Sequence, residues 1–195
     1  MSKYLLNKYS WVLGLPQDTT FVVFDTETTG LDPVACKVIE IGAIKFSYKK
    51  PIDEFGTLIN PECKIPWQVT KVNNITDEMV KDSPKGPEVF PKFLEFIGDA
   101  VLIAHNAKFD IDFVNAELDR LSLPRMTNRV IDTRWMSKDF FPKEANYKLQ
   151  TLAESFKIQV LDAHRATDDS RVCMKLFLYC VRALFKTNRE LATAS

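Results

Sequence analysis

The chain has 195 residues, 46% of them apolar, and its 26 basic side chains are balanced by 26 acidic ones. That length fits one domain with a sizeable core, and zero net charge argues against a protein that coats duplex nucleic acid through a basic face. Two histidines and four cysteines, none in a C-x-x-C pair, argue against a zinc site. With no signal-peptide pattern and no run of about 20 apolar residues, a cytoplasmic, non-membrane protein is expected.

Residues 1–19 read as an N-terminal extension to which the pattern assigns no order. Phe21-Val22-Val23-Phe24 is a fully apolar run, as in a central strand buried on both faces. A second strand is predicted over 37–48, with Ile39, Ile41 and Ala43 alternating, and a third over 55–59. Asp32-Pro33 and Lys50-Pro51 supply turns, so the three strands suit a meander. Residues 60–91 are rich in proline and polar side chains, and Thr76 can cap a short helix over 77–81. A helix is predicted over 88–97, with Val89, Phe93, Phe96 and Ile97 at helical spacing and Gly98 ending it.

Val101-Leu102-Ile103-Ala104 is another buried strand. A helix follows over 109–121, with Phe109, Phe113, Ala116 and Leu118 inward. Val130-Ile131 is a short strand leading into Asp132-Thr133. A short helix is expected over 149–156 and a long one over 166–185, the latter with Val172, Leu176, Tyr179 and Ala183 on one face. Cys173 and Cys180 lie in that apolar stretch and read as reduced core cysteines. Strands first, then alternating helices and strands, imply a mixed sheet flanked by helices.

The acids fall at the ends of these elements. Asp25 and Glu27 are two apart at the end of the first strand, so they point to one face. Two carboxylates there repel each other and gain nothing from an apolar core. Either the strand end is solvated, or a hard cation such as Mg2+ or Mn2+ holds the pair. His105-Asn106-Ala107-Lys108-Phe109-Asp110 follows the next buried strand, where ligand sites of α/β folds gather. Asp110 is also placed to favour a helix dipole. His164-Arg165-Ala166-Thr167-Asp168-Asp169 opens the last helix. One of its two acids can cap that helix while the other projects.

Together these clusters resemble the motifs of the DEDDh family of 3′–5′ exonucleases, of the proofreading epsilon-subunit type. Phe24-Asp25-Thr26-Glu27-Thr28-Thr29-Gly30-Leu31 is similar to the first motif and His105–Asp110 to the second. His164–Asp169 matches a His-x-Ala-x-x-Asp pattern that selects Asp169 over Asp168. Weaker echoes are Ile59-Asn60-Pro61, Asn74-Ile75-Thr76-Asp77, Ile131-Asp132-Thr133 and Leu149-Gln150-Thr151-Leu152.

The resemblance implies an α/β, RNase-H-like mixed β-sheet flanked by helices on both faces. It implies an exonuclease domain over 20–187, with 1–19 and 188–195 outside it. The implied reaction is hydrolysis of terminal phosphodiesters of single-stranded DNA from the 3′ end, releasing nucleoside 5′-monophosphates, with Mg2+ or Mn2+ as cofactor, two per active site. Asp25, Glu27, Asp110 and Asp169 are the implied ligands, and His164 is the implied general base. Thr28, Thr29, Gly30 and Leu31 would line the terminal nucleotide, with Gly30 permitting close backbone approach. His105, Asn106 and Phe109 would support or stack on substrate. Implied partners are a nucleic-acid 3′ end and either a DNA polymerase subunit or a second copy of the chain. Trp67 and Phe140-Phe141 are the candidate exposed apolar contacts. An RNA-trimming enzyme of the same family and a non-catalytic nucleic-acid-binding or polymerase-docking module are the alternatives.

Overall fold

The computed structural model describes residues 2–48 and 50–193, and only the backbone of Ser2, Lys3, Leu191 and Ala192. Five strands, β1 (Phe21–Thr28), β2 (Val38–Phe46), β3 (Pro51–Leu58), β4 (Val101–Ala104) and β5 (Val130–Asp132), form one sheet in the order β3-β2-β1-β4-β5. The meander pairs β1, β2 and β3 antiparallel, while β4 and β5 add in parallel on the other side of β1. The apolar runs of β1 and β4 are buried on both faces because helices cover both.

Alternate residues of β1 serve different cores, as a pleated strand requires. Phe21 and Val23 pack with Ile44, Phe46 and Ile103 against α8 (Ala166–Thr193), α6 (Thr133–Phe140) and α1 (Ser2–Leu13). Val22 and Phe24 pack with Ile41, Ala43 and Leu102 against α4 (Gly86–Ile97) and α5 (Lys108–Arg120). The mixed sheet with helices on both faces is thus as expected, and β2 is buried on both faces rather than alternating.

The N-terminal segment is ordered. Leu5, Tyr9 and Val12 recur at helical spacing and are buried in the α8-side core, and the Tyr9 hydroxyl donates to Asp139 at 2.6 Å. The short α3 (Asp77–Val80) starts where expected, its Met79 amide bonded to Thr76 Oγ1. Two further helices lie where none was expected, α2 (Trp67–Asn73) and α6. The inward stripe of α6 is Thr133, Met136, Ser137 and Phe140, so half of it is polar and the hydrophobic period is weak.

Some inward positions differ from those expected. On α8 the stripe facing the sheet is Cys173, Phe177, Cys180 and Leu184, while Tyr179 is 37% exposed and Ala183 half-buried. Val172 and Leu176 turn instead towards α7 (Leu149–Ser155). On α5, Ala116 is half-buried and Val114 and Glu117 are buried, with Glu117 paired to Lys37 and Arg120. Phe140 is buried and Phe141 packs on Phe156, so that pair is not an exposed patch, whereas Trp67 is 62% exposed. Cys173 and Cys180 are free and buried, as read from the sequence. Among the described residues no helix is long and apolar enough to cross a membrane.

Candidate active site

Strand β1 outruns its parallel neighbour. Its pairing with β4 covers Phe21 to Val23, and β4 ends at Ala104. Asp25 and Glu27 therefore stand beyond the strand end, where open α/β sheets place their ligand crevices. A cleft of about 420 Å3 opens there, and Asp25, Glu27, Asp110, His164 and Asp169 all line it. The three acidic clusters, far apart along the chain, meet as the sequence led us to expect.

Each carboxylate but one is held by a neighbour. Asp110, in the first turn of α5, accepts from the Thr26 amide at 3.0 Å and the Thr26 hydroxyl at 2.8 Å. Glu27 accepts from Asn73 Nδ2 at 3.1 Å, and Asp169 from Gln150 Nε2 at 2.8 Å and the His164 amide at 3.1 Å. Asp168 turns away, taking the Leu161 and Asp162 amides and Arg171. Among the described residues nothing donates a hydrogen bond to the Asp25 carboxylate.

The start of α8 is fixed by β2. A Cβ at Gly42 would lie 2.2 Å from the Thr167 amide nitrogen, so only glycine lets the helix sit this close, and Ser170 Oγ donates to the Gly42 carbonyl at 2.9 Å. Glu40, opposite Glu27 on β2, takes Arg165 Nη2 at 2.7 Å, Arg165 Nε at 3.1 Å and the Ala166 amide at 3.1 Å. These contacts hold His164, whose backbone is left-handed at φ 64, at the rim beside Asp169.

Burial shifts the acids upward. Glu27 is pushed up to about 8, first by burial and then by Asp169, Glu40 and Asp110, against the Asn73 bond. Asp110 rises to about 7, also by burial, against its Thr26 bonds. Asp25 rises well above the usual range through burial and the charges of Asp110, Asp169, Glu27 and Glu40, and Asp169 rises through burial. Ligand-capable atoms of Glu27, His164 and Asp169 lie within 4.8 Å of one another. An all-oxygen carboxylate set under mutual repulsion, with Asp25 lacking a protein donor, fits a hard divalent cation.

A linkage effect follows. The native acids hold protons that the unfolded chain releases near its ordinary values of 3.8 and 4.5. The cation-free fold therefore loses stability as pH rises from there to about 8. In EDTA the Tm should fall between about pH 5 and pH 8, and added Mn2+ should raise it more at the upper end, since ligands must lose protons to bind. A Tm in EDTA that stays flat or climbs across that interval would contradict this.

Other expected site residues divide. Thr28, Gly30, Leu31 and Phe109 border a second, mostly apolar cavity of about 340 Å3, which shares Thr26, Glu27 and Phe109 with the cleft. Its far wall is Gln68, Val69, Val72 and Asn73 of α2, which sequence reading missed. Thr29 lines neither cavity, and its hydroxyl accepts from the Lys37 amide. A Cβ at Gly30 would lie 2.6 Å from Cys36 Sγ, so its missing side chain makes room for Cys36, while Gly30 itself borders the apolar cavity.

His105 borders the cleft, but both ring nitrogens are engaged. Nε2–H donates to the Tyr147 carbonyl at 2.9 Å and Nδ1 meets the Thr133 hydroxyl at 2.9 Å, and burial lowers its pKa. Asn106 and Phe109 line the cleft. Asn73, Gln150, Glu40 and Arg165 were missed as supports, although Gln150 lies within a quoted echo and Asn73 immediately precedes another.

The family model RNase_T, described as "Exonuclease", matches residues 22–177. The chain is 43% identical over 182 residues to the "DNA polymerase III subunit epsilon" of Treponema pallidum (strain Nichols), covering 92% of this chain and 85% of that protein. It is 44% identical over 164 residues to the "DNA polymerase III PolC-type" of Caldanaerobacter subterraneus subsp. tengcongensis, covering 84% of this chain but spanning 12% of that protein. Among solved structures, "Exonuclease X in complex with 5' overhanging duplex DNA" is similar with a TM-score of 0.69 at 26% identity, over 83% of this chain and 91% of that one. E. coli exonuclease I in complex with a dA16 oligonucleotide gives 0.78 at 14% identity, over 90% and 43%, a likeness of fold.

Proposed function

The chain belongs to the exonuclease family whose model spans residues 22–177, and from that premise we propose that it trims single-stranded DNA in the proofreading or repair of new strands. It is a 3′–5′ exonuclease. The observation carrying the site assignment is the meeting of Asp25, Glu27, Asp110 and Asp169 with His164 in one cleft. We assign the four acids as ligands of Mg2+ or Mn2+, two ions per site. Bound there, divalent cations supply positive charge at the scissile phosphate and at the leaving oxygen.

The chain's own groups do the rest. His164 takes a proton from the water that attacks phosphorus. The new oxygen–phosphorus bond forms as the bond from phosphorus to the 3′ oxygen of the preceding nucleotide breaks, and that oxygen takes a proton from solvent water. The products are a nucleoside 5′-monophosphate and a strand with a free 3′ hydroxyl. The apolar cavity beside Thr28, Gly30, Leu31 and Phe109 takes the terminal nucleoside. Asn106 orients the phosphate from the rim. Asn73 and Gln150 position Glu27 and Asp169.

We place the exonuclease domain at 20–187, acting in the cytoplasm, with 1–19 and 188–195 flanking it although α1 packs on α8. The names of the polymerase III relatives favour a DNA polymerase as partner. A homodimer is the alternative, and sedimentation of the chain alone separates the two.

A timed digest of end-labelled single-stranded DNA should release mononucleotides from the 3′ end in Mg2+. EDTA should stop it and Mn2+ restart it. Release from the 5′ end, or undiminished cleavage in EDTA, would refute the assignment. Faster loss of matching RNA would move the substrate to RNA.

A further inference from the structure

Helix α6 meets the cleft through the bond from Arg134 to the cleft residue Asn106, and it has no part in the chemistry assigned above. Its first turn carries Arg134 and Trp135, and Lys138 lies one turn on, all exposed. Trp135 keeps 54% of its surface open, and Lys138 Nζ sits 5.3 Å from its ring centroid. Arg134 Nη1 donates to Asn106 Oδ1 at 3.0 Å, and Asn106 lines the carboxylate cleft together with the exposed Lys148. The His105 bond to the Tyr147 carbonyl ties the segment before Lys148 to the same rim.

Among the described residues no carboxylate pairs with Arg134, Lys138 or Lys148, whereas nearby Lys108 is paired with Asp112 and Lys8 with Asp139. The backbone end of α6 is already capped by Asp132, so the free cationic character belongs to the side chains. An open indole beside unpaired cations, continuous with a phosphate-cleaving cleft, matches what single strands require. Bases stack on the ring and phosphates meet the cations, with no sequence reading.

We propose that this face of α6 is the track for the single strand upstream of the scissile phosphate. A base stacks on Trp135, and Arg134, Lys138 and Lys148 meet the phosphates running towards the carboxylates. The terminal nucleoside occupies the apolar cavity, which shares Thr26, Glu27 and Phe109 with the cleft, so the strand passes the acids on its way to α6. The proposal rests on the exonuclease reading of the cleft. It adds which surface grips the strand and why a neutral chain can do so locally.

The test compares wild type with Trp135→Ala/Lys138→Ala on two substrates. One is a labelled oligodeoxythymidylate and the other the p-nitrophenyl ester of thymidine 5′-monophosphate, which is too short to reach α6. The variant should raise KM for the oligomer about tenfold with kcat unchanged, and leave hydrolysis of the ester unaltered. Fluorescence anisotropy in EDTA, where no turnover occurs, should show the same weakening. The slope of log affinity against log salt should become shallower by about 0.7 for the lost phosphate contact.

Equal oligomer binding by both proteins would overturn the track, as would equal losses on the two substrates. A wild type that binds the oligomer in EDTA yet cleaves neither substrate in Mg2+ would refute the exonuclease reading. The binding comparison would still decide the track.

Discussion

Replacing Asp25 with Asn is expected to abolish turnover while making the cation-free protein more stable. The two effects share one cause. The Asp25 side chain is half-buried; its removal from water, and then the charges of Asp110, Asp169, Glu27 and Glu40, push its pKa well up, and no described group donates to it. In the cation-free fold, carrying a charge there or taking up a proton to avoid it costs free energy, and an amide of the same shape removes that cost. Relief on the order of 1 kcal/mol would raise Tm by about 2–4 °C in a domain of this size. Turnover should fall on the order of 10³-fold or more, because losing a ligand has to exceed the about 10–100-fold typical of losing an outer-shell partner. Thermal melts in EDTA and in Mn2+, with single-turnover digests, read both. If Asp25→Asn kept wild-type turnover, or melted lower than wild type in EDTA, the strained-carboxylate account of the cleft would be wrong. Such a trade of stability for function is what a preassembled charged site imposes.

The acids were legible because their sequence context conflicts with local expectation. An apolar strand such as Phe21-Val22-Val23-Phe24 gains nothing by running into two carboxylates, so their presence points to chemistry. The backbone was legible for the same reason wherever apolar period and chain punctuation agreed, as at Val101–Ala104 or at the stop of α4 on Gly98. It was not legible at α6, where Thr133 and Ser137 occupy inward positions. Their hydroxyls are satisfied by Ala104, Cys173 and Cys180 across the core, partners no local pattern reveals.

The supports of the site were hidden by distance along the chain. Glu27 depends on Asn73, and Asp169 on Gln150. Glu40 and Arg165 are separated by 125 residues yet form a two-pronged pair that anchors the loop before α8. Gly42 illustrates the same point. In sequence it weakens a strand of good β-formers, and only the approach of Thr167 to its Cα explains it. Gly30 is a further case: its missing side chain makes room for Cys36, a neighbour no local pattern reveals.

His164 can act on the attacking water or serve as a ligand, and one substitution separates the two. Its imidazole is exposed at the rim, and its backbone sits at φ 64 with the amide bonded to Asp169. Glycine takes that conformation without the penalty a β-carbon brings. His164→Gly should therefore keep the Asp169 bond and leave Tm unchanged or slightly raised, while kcat falls by about 10²–10⁴, the range for loss of a general base. Two further readouts fix the role. If His164 moves a proton, added imidazole should restore part of the rate, and Mn2+ affinity by calorimetry should match wild type. If instead the proximity of His164 to Glu27 and Asp169 reflects ligation, affinity should fall with the rate, and imidazole should rescue both together. A glycine variant with full activity would remove His164 from the mechanism and leave the four acids to act without a protein base.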